Sequence, residues 1–270
     1  MPRLLVVGAV LALAITAAAQ APAPNAYPPD TTVVVPPGFR AEIPDPNLSA
    51  LQLEERGDTL RAEKLYADSM DFYQLALKKD PSRPMLWNKI GICQIRLGRF
   101  DDARKSFEHA LKLDPNFADA LGNLGADYYL QKNYAKAIKT CRKAIAMRPQ
   151  AASFHSNLAN AFFARKEYAK AFQEYSRAIE LDPDILERQS GSGVQAHVIG
   201  AEDRARYSYE LAKVYARMGN FDRAFHYLKK AIEDGFPQIK SVYRDQEFAS
   251  LRKDPRFAEL MNSMPQAIQQ

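Results

Sequence analysis

Apolar and small residues in the middle of the chain recur with a period of 34 positions. Three residue classes keep this spacing in register: prolines, alanines and aromatic residues. They are Pro81, Pro115, Pro149 and Pro183; Ala76, Ala110, Ala144 and Ala178; and Tyr66, Phe100, Tyr134 and Tyr168. A fixed period of this length indicates a repeat architecture, in which each unit packs mainly on its neighbours.

Each period predicts two helices joined by a turn. In the second period Trp87 and Ile90 stand at helical spacing, Gly98 allows a turn, and Phe107 and Ala110 lie on one face of the next helix. Pro115 ends that helix, because the residue before a proline is pushed away from helical geometry. Small residues such as Gly91 and Ala110 let the paired backbones approach closely.

The period and its breaks divide the chain into segments. Repeats are predicted at 50–83, 84–117, 118–151, 152–185 and, out of phase, 205–238. Residues 186–204 contain Ser190-Gly191-Ser192-Gly193 and are predicted to form an insertion loop. Because a terminal repeat exposes an apolar face, 239–264 is predicted to be a helical cap, followed by a tail at 265–270.

The repeat pattern resembles the tetratricopeptide repeat, whose fingerprint is W-x2-L-G-x2-Y, then A-x3-F, then A and P. The second repeat carries it in seven places: Trp87, Ile90, Gly91, Ala103, Phe107, Ala110 and Pro115. The resemblance implies an all-α, right-handed superhelical solenoid of about five helix-turn-helix repeats with a helical C-terminal cap. The closing segment resembles the end of some exported bacterial arrays.

The first 49 residues have a different composition from the repeats. Residues 1–19 are predicted to be a cleaved signal peptide, with Arg3 before an apolar run that ends in Ala17-Ala18-Ala19. An uncleaved membrane anchor is the alternative, but the run is shorter than the roughly 20 residues that span a bilayer. Residues 20–49 hold eight prolines and are predicted to be a disordered linker. We expect an exported bacterial protein, periplasmic or secreted, with no stable membrane insertion after cleavage.

Charge and chemistry exclude several function classes. A net charge of +5 spread over 270 residues argues against a nucleic-acid binder. The four histidines show no metal-ligand or catalytic spacing, so we expect no enzyme activity, no metal and no cofactor. His155 stands at a helix-packing position of the repeat. Cys93 and Cys141 are expected to be buried free thiols, because two cysteines are too few for a disulfide framework.

The resemblance also implies where a partner binds. In tetratricopeptide arrays the first helices line a concave groove that holds a peptide or a partner helix. By position the groove residues are Lys89, Ile92, Asn123, Ala126, Tyr129, Asn157, Asn160, Phe163, Arg206, Tyr209 and Lys213. Asparagine amides donate and accept, so they can bond a peptide backbone of any sequence. We therefore expect a non-enzymatic scaffold, monomeric by default, with a protein or peptide partner; the alternative is a structural module whose insertion fills its own groove.

One further cluster is basic. Lys136, Lys139, Arg142 and Lys143 fall on the outward side of a second helix. From the sequence alone, a solvated face is favoured over an anion site there.

Overall fold

A computed structural model describes residues 40–187 and 201–263. Over these residues the chain is helical, with eleven α-helices, three short 3-10 helices and no strand. The α-helices are α1 Ala50–Ala62, α2 Tyr66–Lys79, α3 Pro84–Arg96, α4 Phe100–Leu113, α5 Ala118–Leu130, α6 Tyr134–Met147, α7 Ala152–Ala164, α8 Tyr168–Leu181, α9 Ala201–Arg217, α10 Phe221–Glu233 and α11 Pro255–Asn262. The 3-10 helices are Ile239–Tyr243, Gln246–Phe248 and Leu251–Lys253.

Consecutive helices pack as five antiparallel hairpins, from α1 with α2 to α9 with α10. The second helix of each of the first four hairpins also packs on the first helix of the next. In addition, α3 contacts α5 and α5 contacts α7. The first helices therefore form a continuous inner layer and the second helices an outer one. The predicted all-α solenoid of helix-turn-helix repeats is confirmed.

The turn inside each repeat uses one left-handed residue. Gly98, Lys132 and Lys166 stand at the same repeat position with φ of 73°, 60° and 61°. In the second repeat the Arg99 N–H donates to the Gln94 carbonyl over 2.8 Å, which satisfies a carbonyl at the end of α3. Only glycine adopts this conformation without strain. Lys132, Lys166 and Lys64, which holds the position in the first repeat with φ of 63°, therefore each cost about 1 kcal/mol.

Small residues set the distance between paired helices, as the sequence predicted. A Cβ added at Gly91 would lie 2.5 Å from Phe107 Cε1, well inside van der Waals contact. Ala103 and Ala110 are fully buried in the same hairpin. In the third repeat, a Cβ at Gly125 would lie 2.4 Å from Cys141 Sγ. The second and third hairpins are therefore packed at the limit that glycine and alanine allow.

Both cysteines are buried and free, as predicted. Burial raises the pKa of the Cys93 thiol to about 11 and that of Cys141 to about 12. The reactive thiolate is therefore scarce at neutral pH.

The predicted linker 20–49 is wrong over its last ten residues, which lie against the first repeat. The N–H groups of Ala41 and Glu42 donate to Asp68 Oδ1 over 2.6 and 3.0 Å. Lys79 Nζ donates to the Pro46 carbonyl over 2.7 Å. Because the buried Asp68 carboxylate accepts two backbone donors, this segment is held on α2 rather than free.

The insertion is shorter than predicted, because α9 begins at Ala201 and residues 201–204 are helical. The remainder of the insertion, 188–200, lies outside the described residues, as do the predicted signal peptide, residues 20–39 of the linker and the tail at 265–270.

The segment after α10 covers the end of the last hairpin. The Tyr209 ring stacks on Phe236 at 4.5 Å and contacts Phe248 at 5.5 Å between ring centroids. The Tyr209 hydroxyl donates to Asp245 Oδ2 over 2.9 Å. Phe248 and Leu251 are fully buried, so the apolar end of α9 and α10 is shielded from water.

Across the described residues, none of the helices combines the length and apolar character needed to cross a bilayer.

Candidate functional site

The residues predicted to line the groove lie on the first helices of the second to fifth repeats. Lys89, Asn123 and Asn157 occupy one repeat position on α3, α5 and α7, which contact one another in series. Tyr129 and Phe163 share a second position at the ends of α5 and α7. The contacts between α3, α5 and α7 therefore bring Lys89, Asn123 and Asn157 onto adjacent helices of the inner layer.

The three asparagines are buried, and Asn123 and Asn160 are hydrogen-bonded within the chain. Asn123, Asn157 and Asn160 are 5%, 2% and 2% exposed. Asn123 Nδ2 donates to Asn88 Oδ1 over 2.9 Å, which joins α5 to α3. The Tyr175 hydroxyl donates to Asn160 Oδ1 over 2.6 Å. A ligand that reaches these amides must compete with such internal bonds.

The two aromatic positions repeat one packing motif. Tyr129 contacts Tyr134 at 5.6 Å and Phe163 contacts Tyr168 at 5.4 Å, measured between ring centroids. Phe163 also meets Tyr207 of α9 edge-on at 5.7 Å. Both rings are therefore buried rather than open on the inner surface.

The start of α9 also comes near α5. Burial raises the pKa of Tyr129 to about 12, and the charges of Tyr134 and Asp203 add to this shift. Asp203 belongs to the first turn of α9, so its charge acts on Tyr129 of α5 through space.

Ile92 is a core residue rather than a groove residue. It is 3% exposed and belongs to the apolar cluster that contains Ala103 and Phe107. Ala126 lies in the same cluster. Asn160 occupies the same repeat position, and its Oδ1 accepts from Tyr175 of the paired helix α8. This position therefore faces the hairpin interior, which the helical spacing alone did not distinguish from the inner surface.

The predicted groove cations are neutralised by carboxylates of the chain. Lys89 Nζ lies 2.7 Å from Glu54 Oε1 and 2.6 Å from Asp58 Oδ2. Lys213 Nζ lies 3.5 Å from both Asp245 Oδ2 and Glu247 Oε1. The inner layer therefore offers an acidic ligand no unpaired charge at Lys89 or Lys213.

Arg206 is likewise held by its surroundings. Its guanidinium donates to Gln238 Oε1 over 2.6 Å and lies 3.6 Å from Glu210 Oε1. It also stacks over the rings of Tyr168 and Phe236 at 4.8 and 4.7 Å. Arg206 therefore ties the start of α9 to its neighbours.

His155 is packed at the junction of the third and fourth repeats, as predicted. Its Nδ1 lies 2.7 Å from Glu174 Oε2 and its Nε2 lies 3.0 Å from the Pro149 carbonyl oxygen. Burial lowers the pKa of His155, but the hydrogen bonds to Glu174 and Pro149 outweigh it and the net shift is upward. Among residues 40–187 and 201–263, no three His, Cys, Asp or Glu side chains are arranged to hold a metal ion.

Asp127 is a buried acid that the pattern did not reveal. It is fully buried on α5; its Oδ2 accepts from Gln131 Nε2 over 2.7 Å, while Oδ1 has no hydrogen-bond partner in the described part of the chain. Burial raises the pKa of Asp127 to about 7, against opposing effects of Gln131 and Arg104. Its repeat position holds Cys93 and Ala161 in the neighbouring repeats, and that contrast is the signal that could have identified it.

Known proteins resemble the chain in sequence and in structure. Tetratricopeptide repeat sequence models match residues 90–152, 152–185 and 205–233. No curated protein sequence matches the chain.

Among solved structures, TTC0263, a thermophilic TPR protein of Thermus thermophilus, is 20% identical, covers 69% of this chain and 92% of its own, and has a TM-score of 0.50. MamA from Desulfovibrio magneticus RS-1 is 19% identical and covers 71% of this chain and 96% of its own, with a TM-score of 0.48. The first TPR of Spaghetti (RPAP3), bound to the HSP90 peptide SRMEEVD, is 22% identical. It covers 44% of this chain and 94% of its own, with a TM-score of 0.42.

The matched segments coincide with the helical hairpins from α3 to α10. The hairpin stacking, the 34-residue period and the three matches agree, and the chain belongs to the tetratricopeptide repeat family.

Proposed function

We propose that the chain is a non-enzymatic scaffold that captures a peptide or a partner protein on the inner layer formed by α3, α5 and α7. The observation that carries the proposal is the row of amides at successive first helices, in which Asn123 and Asn157 stand 34 residues apart. Amide groups bond a peptide backbone without regard to its side chains.

The charge of the inner layer limits the kind of partner. Since Lys89 and Lys213 are paired with carboxylates of the chain, the layer suits an uncharged or apolar segment better than an acidic one. Tyr129 and Phe163 supply apolar area once the segment displaces their present contacts.

The experiment is an affinity capture from envelope extract of the source organism, with bound proteins identified by mass. Asn123→Ala with Asn157→Ala removes two inner amides and should abolish capture. The matched control is Asn116→Ala with Gln150→Ala, which removes two exposed amides that are also 34 residues apart, in the turns between repeats. Equal capture by the folded inner-layer variant and the control would contradict the proposal.

A second candidate is a structural module whose inner layer takes no outside ligand. The burial of Asn157, Asn160 and Phe163 within the chain itself favours this candidate. This candidate includes the hypothesis that the insertion fills the groove. To test it, residues 188–200 are replaced by a short Gly-Ser linker; new capture by the shortened chain would support the module, and unchanged capture would contradict it.

We also propose export, with the chain in the periplasm or outside the cell. The support is the sequence of residues 1–19, in which a charged start precedes an apolar run and small residues. N-terminal sequencing of the protein from fractionated cells tests the proposal. A chain that begins at Gln20 in the periplasm or medium is expected, and an intact Met1 in the cytoplasm would contradict export.

A further inference from the structure

The outer face of α6 is a strip of positive charge. We use the name basic strip for Lys132, Lys136, Lys139, Arg142 and Lys143, all of which are exposed. Lys132 lies in the turn before α6 and the others lie on the helix. The sequence of α6 contains no carboxylate, so the strip has no acid on its own helix.

Some cations of the neighbouring outer helices are paired. On α4, Arg104 lies 2.9 Å from Asp101. On α8, Lys170 lies 2.6 Å from Glu167. Within residues 40–187 and 201–263, no member of the basic strip forms an ion pair with a carboxylate, although α6 occupies the same place in its repeat. Within the same residues Lys78 of α2 and Lys112 of α4 form none either, so the third repeat differs in grouping five such cations on one outer face.

The strip is unfavourable for the isolated chain. Lys139 and Lys143 are four residues apart, and Lys136 and Lys139 are three apart, so like charges face each other on one side of α6. At the position of Arg142, the preceding repeat carries Glu108. A bound anionic group would relieve this repulsion.

Two aromatic rings hold cations of the strip in place. Lys136 Nζ lies 5.4 Å from the ring centroid of Tyr128. The Arg142 guanidinium lies 5.4 Å from the ring centroid of Phe162. These contacts restrict the long side chains before a partner arrives, which lowers the entropy lost on binding.

The occupant must come from another molecule. Segments 1–39, 188–200 and 264–270 contain one carboxylate side chain between them, that of Asp30. None of the three can therefore supply an acidic stretch to the strip.

The width of the strip indicates the class of partner. It is one helix wide, about 10 Å. The adjacent outer helices carry the exposed carboxylates Asp101 and Glu108 on one side and Glu180 on the other. A flat bilayer or a nucleic-acid duplex would meet these carboxylates as well as the strip, whereas a single polypeptide segment fits between them.

We propose that the basic strip on the outer face of α6 is a second interaction surface, which binds an acidic polypeptide segment of a partner protein. This surface lies on the layer opposite to the inner one and does not depend on the ligand of the inner layer.

The test is fluorescence anisotropy of a labelled poly-glutamate peptide titrated with the purified chain at low and physiological salt. Binding should weaken with salt and be absent for a poly-glutamine peptide. The strip variant is Lys139→Gln, Arg142→Gln and Lys143→Gln, which should weaken binding about tenfold, since several exposed charge pairs are lost. The control variant Arg99→Gln, Lys105→Gln and Lys112→Gln removes the same charge from the α4 hairpin and should bind like the unmodified chain.

A folding readout separates binding from stability. Because the strip variant relieves repulsion within α6, it should unfold at the same or higher denaturant concentration than the unmodified chain. Equal weakening by the strip and control variants would overturn the proposal. Strip-dependent binding of phosphatidylserine vesicles or duplex DNA, or strip-dependent self-association, without binding of poly-glutamate would also overturn it.

Discussion

The side-chain amide of Asn123 donates a hydrogen bond to Asn88 Oδ1 over 2.9 Å, and both side chains are buried. The bond joins α5 of the third repeat to α3 of the second across the inner layer. The Asn123 amide, which the repeat pattern assigns to a ligand, therefore also joins two repeats, and binding and stability are coupled at this residue.

Asn123→Ala should lower the free energy of unfolding by about 1–3 kcal/mol, because it leaves the buried Asn88 oxygen without this donor. Urea unfolding followed by circular dichroism measures the loss. A double-mutant cycle with Asn88→Ala should show coupling of about 0.5–3 kcal/mol. Strictly additive effects of the two substitutions would contradict the inter-repeat role of the bond.

Asp127→Asn should stabilise the chain at alkaline pH. The pKa of Asp127 is about 7 in the folded chain and 3.8 in its ordinary range, so the folded state holds a proton that the unfolded state has released. Stability is thus greatest below about pH 4, falls as the pH rises to about 7, and stays low above it. The asparagine variant does not titrate there and should be more stable by roughly 2–4 kcal/mol at high pH.

The pH dependence of this difference is the control for Asp127. The Asp127 carboxyl group faces three charged residues of α4, and the substitution changes none of them: Arg104, Asp101 and Glu108. Urea unfolding of both proteins across this range should give a difference that is near zero in acid and grows with pH. A difference of constant size at every pH would show that Asp127 is ionised throughout.

His155 should titrate above its ordinary pKa of 6.5 in the folded chain. Both ring nitrogens face acceptors, Glu174 and the Pro149 carbonyl, and only the imidazolium donates to both. The resulting stability is complete below about pH 6.5 and is lost as the pH rises through the folded pKa. NMR titration should show a lower pKa for His155 in Glu174→Gln, with the other histidines unmoved; an unchanged His155 would refute the pairing.

Gly91→Ala should destabilise the second repeat despite the better helix propensity of alanine. Propensity favours alanine by up to about 1 kcal/mol. The new Cβ would meet Phe107 Cε1 at 2.5 Å, and overpacking of this kind costs about 1–3 kcal/mol. Thermal unfolding should therefore show a net loss, which Phe107→Leu in the same chain should partly restore. If Phe107→Leu does not restore stability to the Gly91→Ala chain, the strain does not arise at the Gly91–Phe107 contact.

The sequence predicted the hairpins well, because the position of Ala110 holds a fully buried alanine in each of the first four repeats and Pro115 recurs just after the second helix. The early start of α9 was missed, since a glycine-rich run at 190–193 gives no signal for where a helix resumes. The docking of 40–49 was also missed, because Asp68 accepts backbone donors that no side-chain pattern reveals.

The candidate site was predicted only in outline. The period placed Asn123 and Asn157 on successive first helices, which the structure shows side by side in the inner layer. It could not separate Ile92, which fills the hairpin core, from an inner-surface residue at the same helical angle. The carboxylates that pair with Lys89 and Lys213 come from other elements, so their effect appears only in three dimensions.

The most direct test of the scaffold is site-specific photo-crosslinking in cells of the source organism. A benzophenone amino acid replaces Lys89, a half-buried residue of α3 on the inner layer, in one variant and Glu180 on the exposed face of α8 in the other. The account predicts that the Lys89 variant crosslinks to one partner protein and the Glu180 variant does not. Crosslinks from Glu180 alone, or a Lys89 variant that folds and crosslinks only within its own chain, would contradict partner capture on the inner layer.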